Sequence, residues 1–544
     1  MLAHRKVRRR QAAAVNDALP EDLHPVIRRV LLARGVGDAE SLDLKLARLQ
    51  APGGLTGANR AAEVLSDAIV EGRRILVVGD FDADGATGTA VMVRALRLMG
   101  ASEVDFRVPN RFDFGYGLST ALVDTLADDP PDVLVTVDSG ISSINGVRRA
   151  QELGCKVVIT DHHLPGDELP PADAIVNPNC PGDDFPSKAL AGVGVVFYLA
   201  GVVRQALRAR DWFTLPRSEP NLAHLLDLVA LGTVADLVPL DNNNRILVSQ
   251  GMKRIRAGRC SAGLLALLRV GNRDYRHVVA ADLAFAVAPR LNAAGRLEDM
   301  GVGIRCLLTD DHDEALALAG ELDALNQERK SVQSEMQEEA FALVRELIEG
   351  LRGSDTLPPG LCLYQAGWHQ GIVGLVASRI KEAVHRPAIA FAPEAQGSTV
   401  LKGSARSIEG LHIRDVLARV DALHPQLITA FGGHAMAAGL TLDAGGLQTF
   451  QQAFEEAVHH FLQGEMPDNE VLTDGELTAA DIGLDLAAQL RDLEPWGQSF
   501  PQPLFEGRFT VEDRRVVGGA HLKMMVMPVG GRRAIDAIAF RCRP

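Results

Sequence analysis

The sequence predicts an α/β protein: a parallel, doubly wound first domain, a long connector helix, a second α/β domain and a small C-terminal β-barrel. Three observations predict it. From Arg73 onward, short β-branched runs alternate with helical patterns, as in a parallel sheet covered by helices. From Asp310 to Glu349 one helical periodicity runs unbroken. After Gly464 short strand patterns alternate with Gly-Gly and Pro turns.

The bulk composition sets the frame. A chain of 544 residues implies about three or four domains. Hydrophobic content of 47% and charged content of 23% are those of a globular protein. A formal charge of −14 argues against a protein that coats nucleic acid with a basic surface, though it leaves room for a narrow basic channel. Six cysteines (Cys155, Cys180, Cys260, Cys306, Cys362, Cys542) form no CxxC pair. That excludes a disulfide framework and a zinc site, and fits a reducing, cytoplasmic compartment. No apolar run approaches the roughly 18 residues of a membrane span. The basic N-terminus, His4-Arg5-Lys6 and Arg8-Arg9-Arg10, lacks the apolar region of a secretory signal and reads as a mobile tail, with a phosphate-contacting arm as the alternative.

The elements follow in order. Residues 1–50 read as a small helical segment, with helices at Pro25–Arg34 and Asp38–Leu49. The first α/β domain, 51–308, has strands at Ile75–Val78, Val104–Val108, Val133–Val137, Val157–Thr160 and Ala174–Val176. Its helices are Ala86–Met99, Ser119–Leu126, Ile144–Leu153 and Leu190–Arg208. The connector, 309–350, carries apolar residues such as Leu318, Leu322, Leu325, Val332 and Met336 at helical spacing. A helix of that length spans roughly 60 Å and reads as a link between two lobes. Pro358-Pro359 marks a boundary. The second α/β domain, 351–464, has strands at Leu361–Tyr364 and Ala388–Phe391, a helix at Gly371–Glu382 and further helices to about Leu462. The segment 465–544 has strand patterns at Phe505–Val511, Val516–Val517, His521–Met527 and Ala534–Phe540. It reads as a barrel of the oligonucleotide-binding (OB) type, whose last element is missing or continues beyond Pro544.

Acidic residues collect at three strand ends. Asp80, Asp82 and Asp84 follow the first strand, Asp138 follows the third, and Asp161-His162-His163 follows the fourth. In an open parallel sheet ligands bind off these carboxyl ends, so three strands would deliver carboxylates and imidazole to one edge. Asp236, after Gly232-Thr233, is a possible fourth contribution. One such Asp is ordinarily a helix cap. Three acidic strand ends with a His pair require a cation among them. Oxygen donors with imidazole suit Mg²⁺ or Mn²⁺, the nitrogen favouring Mn²⁺. Two such ions about 3.5–4 Å apart activate water and steady the leaving oxygen of a phosphate ester. Asp138, alone on a central strand, is the natural bridge. The rhythm Gly79…Gly85-Ala86-Thr87 is P-loop-like but lacks the phosphate-binding lysine, so a nucleoside-triphosphatase is rejected. In the loop Asn110–Gly117, an arginine and aromatics among glycines suit bases and phosphates, and Arg111 is the candidate there.

These motifs carry a resemblance. Gly79-Asp-Phe-Asp-Ala-Asp-Gly-Ala-Thr, Val137-Asp-Ser-Gly, Asp161-His-His and Gly232-Thr-Val-Ala-Asp-Leu-Val-Pro-Leu240 resemble the ordered motifs of the DHH phosphoesterase superfamily. Pro289-Arg-Leu-Asn-Ala-Ala-Gly-Arg296, Gly367-Trp-His-Gln-Gly-Ile-Val-Gly374, Gly403-Ser-Ala-Arg-Ser407 and Phe431-Gly-Gly-His-Ala-Met-Ala-Ala-Gly439 are similar to motifs of the bacterial RecJ family, as is Leu493-Glu-Pro-Trp-Gly497. The resemblance runs from about residue 50 to near the C-terminus. It implies a DHH domain, a DHHA1 domain and an OB domain, and a Mn²⁺- or Mg²⁺-dependent exonuclease. That enzyme would degrade single-stranded DNA from the 5′ end, releasing mononucleotides, in recombination and repair.

By that resemblance Asp82, Asp84, Asp138, His162 and Asp236 are metal ligands, with Asp80 a less defined member. Asp161 orients the imidazoles, and His163 contacts the scissile phosphate or protonates the leaving group. Substrate contacts fall to Arg290, Asn292 and Arg296; to His369 and Gln370 before a helix N-terminus; to Ser404, Arg406 and Ser407; and to Gly432, Gly433 and His434. A narrow cleft between two lobes would exclude duplex. A single-strand-binding protein and a recombination helicase are the implied partners of a monomeric chain. A DHH enzyme for short oligoribonucleotides or cyclic dinucleotides is the alternative. The connector and barrel favour a polymer, and the intact carboxylates argue against an inactive binding subunit.

Overall fold

The computed structural model describes residues 5–13, 15–110, 114, 117–350, 357–540 and 542. The chain forms two compact units. One comprises Arg8–Asp323 with Leu472–Pro544, the other Ala324–Val471 with the extreme N-terminus. The 39-residue helix His312–Gly350 contributes to both and is about 58 Å long.

The N-terminus departs from expectation. Strand β1 (Lys6–Arg9) pairs with β12 (Glu470–Thr473), and Lys6 Nζ lies 2.7 Å from Asp468. Backbone pairing thus ties down what reads as a mobile tail. The helix expected over Asp38–Leu49 is two short 3₁₀ turns, Glu40–Leu42 and Leu46–Arg48, separated by extended backbone at Asp43 and Lys45.

The first unit is built on β2 (Ile75–Gly79), β3 (Val104–Arg107), β4 (Val133–Val137), β5 (Lys156–Thr160) and β6 (Ala174–Val176), in the order β3-β2-β4-β5-β6. Every neighbouring pair is parallel. All positions of β2 and β4 are buried. Their unbroken apolar runs are what a sheet covered on both faces requires. The strand order reverses between β2 and β4, where Gly79 lies opposite Val137. That is the switch point at which such sheets bind ligands.

The helix Gly192–Ala209 is, by length and composition, apolar enough to span a membrane, contrary to expectation. It is mostly buried and packs on the helices Ala58–Glu71 and Ala83–Leu98, which makes it a core helix.

The second unit carries β7 (Leu361–Tyr364), β8 (Ala388–Pro393), β9 (Val400–Arg406), β10 (Ala430–Gly433) and β11 (Ala437–Asp443), ordered β10-β11-β9-β8-β7. Only β7 and β8 run parallel. Phe391, Phe450 and Phe454 are fully buried in its core. The strands β9, β10 and β11 stand where the sequence reads as helix and turn. Their Gly- and Ser-rich stretches have little strand propensity, and pairing with neighbours imposes the extended form.

The C-terminal strands β13 (Phe509–Val517), β14 (His521–Pro528) and β15 (Ile535–Ala539) make an antiparallel meander with a bulge between Val511 and Asp513. Among the described residues this is an open three-stranded sheet. The segment before it is fastened to the first unit. Arg34 grips Asp474 through two bonds of 2.7 and 3.0 Å, and Leu240 N–H donates to Gln498 O at 2.8 Å. The Arg245 guanidinium lies 4.1 Å over the Phe500 ring.

Candidate metal centre

Each acidic side chain is placed by a strand end or helix end. The loop after β2 turns directly into the Ala83–Leu98 helix. Asp82 is its N-cap, accepting the Asp84 and Gly85 N–H groups at 2.9 and 3.0 Å. Asp84, in the first turn, is buried. Its carboxylate accepts the Gly192 and Val193 N–H groups at 2.6 and 3.0 Å, so the N-terminus of the Gly192–Ala209 helix holds an anion. Asp138 follows β4 with φ +60°, a left-handed conformation uncommon outside glycine. Asp236 is the C-cap of the Leu226–Ala235 helix.

The ends converge. His162 Nε2 lies 3.1 Å from Asp138 Oδ1 and 3.5 Å from Asp236 Oδ2. Ligand atoms group closely as Asp80, Asp82 and Asp138, as Asp84, His162 and Asp236, and as Asp138, His162 and His163. Asp161 differs from the rest. Its Oδ1 accepts His162 N–H, His163 N–H and His163 Nδ1 at 2.7, 3.0 and 2.8 Å, while Oδ2 accepts Ile141 N–H at 3.0 Å. Asp161 therefore orients the His163 ring but holds His162 only through its backbone. Asn179 Nδ2 fixes the His162 carbonyl at 2.6 Å and Asn177 Nδ2 the His163 carbonyl at 2.9 Å.

The electrostatics favour either protons or a cation here. Burial, with the neighbouring Asp82 charge, pushes Asp84 up to about 7. Burial and the surrounding carboxylates push Asp138 and Asp236 well above the carboxylate range. Burial pulls His163 down, but the Asp161 hydrogen bond and charge outweigh it and carry the ring to about 9. Burial raises Asp161, yet the His163 bond and the backbone donors bring it below its ordinary value. Hard oxygen donors with one imidazole nitrogen fit Mn²⁺ or Mg²⁺. With such charge bound, the carboxylates would ionise.

Two glycines have packing roles that escaped the sequence reading. A Cβ on Gly192 would stand 2.6 Å from Asp138 Oδ1, and one on Gly232 2.8 Å from Asp84 Oδ1. The signal available for Gly192 was a glycine pair, Gly192 and Gly194, opening an apolar helix.

The remaining candidates scatter more widely. Asn292 Oδ1 accepts the Ala83 N–H at 2.8 Å, and a Cβ on Gly295 would clash with Phe81 O. The Ala288–Leu297 helix thus buttresses the acidic loop. Arg290 pairs with Asp323 at 2.7 Å and also bonds the Ala286 carbonyl. Arg296 lies in the last turn of the same helix. Arg111 lies outside the described residues.

In the second unit, Gly432 on β10, Gly439 on β11 and Ser404 on β9 stand in one register row. No heavy atom lies near an added Cβ at Gly432 or Gly439, so backbone is open beside Ser404. Arg406 donates to Ser404 Oγ at 2.9 Å. Both groups face the first turn of the Val373–Val384 helix, where a Cβ on Gly374 would meet them at 2.8 Å. Gly433, at φ +147°, lies against Ala438, and His434 N–H donates to Ala437 O. His369 Nδ1 accepts the Gly371 N–H at 3.1 Å, and Gln370 donates to Glu394 O. Ser407 is buried, its hydroxyl bonded to Leu411 O at 2.7 Å.

A switch-point cluster of carboxylates and imidazole on a parallel sheet, followed by a second α/β unit, defines a metal-dependent phosphoesterase of the DHH class. Residues 74–233 match the DHH family, N-terminal domain; 358–460 match the DHHA1 domain; and 473–544 match the RecJ OB domain. The chain belongs to the RecJ family. It is 53% identical over 541 residues to the single-stranded-DNA-specific exonuclease RecJ of Salmonella typhimurium, covering 99% of this chain and 93% of that one. It is 54% identical to the Escherichia coli protein of the same name over 98% of this chain and 92% of that one. The crystal structure of RecJ from Thermus thermophilus in complex with Mn²⁺ superposes with a TM-score of 0.78 at 32% identity, over 97% of this chain and 74% of that one. The Mg²⁺ complex of that protein gives 0.72 at 30%, over 97% and 72%.

Proposed function

We propose that this chain is a single-stranded-DNA-specific exonuclease that hydrolyses phosphodiester bonds with bound Mn²⁺ or Mg²⁺. It works from the 5′ end and releases 5′-mononucleotides in recombination and repair. The observation that carries this reading is the convergence of Asp80, Asp82, Asp84, Asp138, His162 and Asp236 at the switch point of the sheet. Asp82, Asp84, Asp138, His162 and Asp236 would hold two cations, with Asp138 shared. Bound there, the pair supplies water activation and charge neutralisation at a phosphate ester.

The chain's own groups do the rest. His163, charged and steadied by Asp161, is a donor for a phosphate oxygen or the leaving group. In the second unit, Ser404, Arg406, Gly432, Gly433 and His434 offer a shelf for phosphate, with His369 and Gln370 at the neighbouring helix start. Arg111 and Arg296 are further phosphate contacts. Arg290 and Asn292 serve chiefly the Asp323 pair and the acidic loop. Family likeness supports a single-strand-binding protein and a recombination helicase as partners of a monomeric chain in the cytoplasm.

The test is one digestion series: oligonucleotides labelled at either end, single- and double-stranded, with Mn²⁺, Mg²⁺ or chelator. Label should leave the 5′ end of single strands first, and only with metal. Asp138→Asn should abolish release. First release from the 3′ end, or equal digestion of blunt duplex, would sink the reading.

A further inference from the structure

The helices that bear metal ligands at one end frame a second feature at the other. Asp84 opens the Ala83–Leu98 helix and Asp236 caps the Leu226–Ala235 helix, and the two pack together. Arg94 stands about 15 Å beyond Asp84 along the first axis. Asp227 stands in the first turn of the second. Around these far ends lies a cavity of about 350 Å³, lined by Arg94, Arg254, Arg259, His224 and the carboxylates Asp227 and Asp310, with Leu225 and Leu228 among the rest.

Three arginines line it, Arg94 and Arg254 half-buried and Arg259 exposed, and they are not equally engaged. Arg94 is committed, donating to Leu308 O at 3.0 Å and to Asp310 at 2.8 Å. Arg254 and Arg259 have no ion pair and no side-chain hydrogen bond among the described residues. The Arg254 Nε is buried without an acceptor. Asp227 makes no ion pair with Arg254 or Arg259 among the described residues. Its carboxylate accepts the Ser261 N–H at 2.7 Å; burial raises it above its ordinary value, against the lowering by that bond and by the Arg94 charge. A guanidinium NH withdrawn from water without an acceptor is costly, and an anion relieves that cost. Arginine forks match phosphate oxygens in pairs. The volume is that of a small-ligand site, and Leu225 and Leu228 give an apolar wall suited to a sugar or base.

We propose that this cavity binds the phosphate group of a nucleotide, at a site separate from the metal centre. The phosphate has two possible sources: a free mononucleotide, which the proposed reaction would release, or the backbone of a bound strand. The site itself does not depend on the metal centre being a nuclease.

The test uses the full chain carrying Asp138→Asn and Arg406→Ala, in chelator, so that neither the metal centre nor the proposed phosphate shelf of the second unit takes part. Calorimetric titration with inorganic phosphate and with dAMP is expected to reveal a saturable site. Arg254→Gln with Arg259→Gln should weaken it about tenfold or more. If the double variant misfolds, as judged by circular dichroism, each single variant serves in its place. Displacement of dAMP by a 5′-hydroxyl oligonucleotide would assign the site to the strand backbone, and failure to displace would assign it to free mononucleotide; either supports the site. Absence of saturable binding, or binding that the Arg254 and Arg259 changes leave intact, overturns it. Neither result touches the nuclease reading, which stands on Asp138-dependent hydrolysis.

Discussion

Asp138 stands in a backbone conformation that costs about 1–3 kcal/mol for a residue with a side chain, and its carboxylate is packed against Gly192. Strain of this kind persists where surroundings fix a functional geometry. Gly192→Ala would put a methyl 2.6 Å from Asp138 Oδ1 while keeping the helix. The expected result is a loss of about 10- to 100-fold in Mn²⁺ affinity with the fold retained, measured by metal titration and circular dichroism. Unchanged affinity would show that the packing is incidental. Asp80, Asp82, Asp84, Asp138 and Asp161 were legible in the sequence because each cluster follows a strand pattern, whereas Asp236 caps a helix and was only a possible addition. Gly192 was not legible, because its role is to leave room. A second prediction concerns pH. Asp84 rises from an ordinary 3.8 to about 7 when folded without metal. Between those values the folded chain holds a proton that the unfolded chain has released, so stability falls as pH rises through that window. Metal reverses the penalty, and thermal stabilisation by Mn²⁺ should therefore grow from about pH 5 to about pH 8. Equal shifts at both pH values would contradict the assignment.

At the scale of elements, periodicity served where side chains carry it. The strands β2 to β6 lie within a residue or two of their sequence expectation, since an apolar run bounded by turns is a local signal. The strands β9, β10 and β11 left no such signal. Gly403, Ser404, Gly432 and Gly439 have little preference of their own, and only cross-strand pairing makes the shelf. If that shelf holds substrate in ground state and transition state alike, Arg406→Ala should raise KM about tenfold with little change in kcat. A loss confined to kcat would instead move Arg406 into the chemistry. The attachment of the C-terminal segment was equally hidden, because Arg34 and Asp474 are 440 positions apart. Both side chains are only 1% exposed. Arg34→Ala leaves Asp474 buried without its partner, which costs about 3–5 kcal/mol. Hydrogen exchange should rise selectively across Asp474–Leu504, and uniform exchange would show that other contacts hold the segment.

The whole molecule poses an apparent conflict between a net charge of −14 and a polyanionic substrate. Composition alone would steer the reading away from nucleic acid. The conflict eases once the charge is apportioned. Much of the acidity at the switch point is buried carboxylate that bound cations would neutralise, and holding a strand would need only a few arginines. Of the candidate arginines, Arg290 is taken up by Asp323, and Arg111, Arg296 and Arg406 are the ones proposed to meet phosphate. Each phosphate neutralised on a single strand contributes about −0.7 to the slope of log affinity against log salt, so three such contacts give a slope of about −2. The logarithm of kcat/KM on a single-stranded oligonucleotide should therefore fall linearly with log salt at about that slope. Arg406→Ala should make it shallower by about 0.7, whereas Arg290→Lys, which keeps the Asp323 pair, should leave the slope unchanged. The measurement separates the two halves of the claim. A slope near zero would mean that the strand is held by stacking and metal alone. A steep slope indifferent to Arg406→Ala would place the contacting cations elsewhere on the chain.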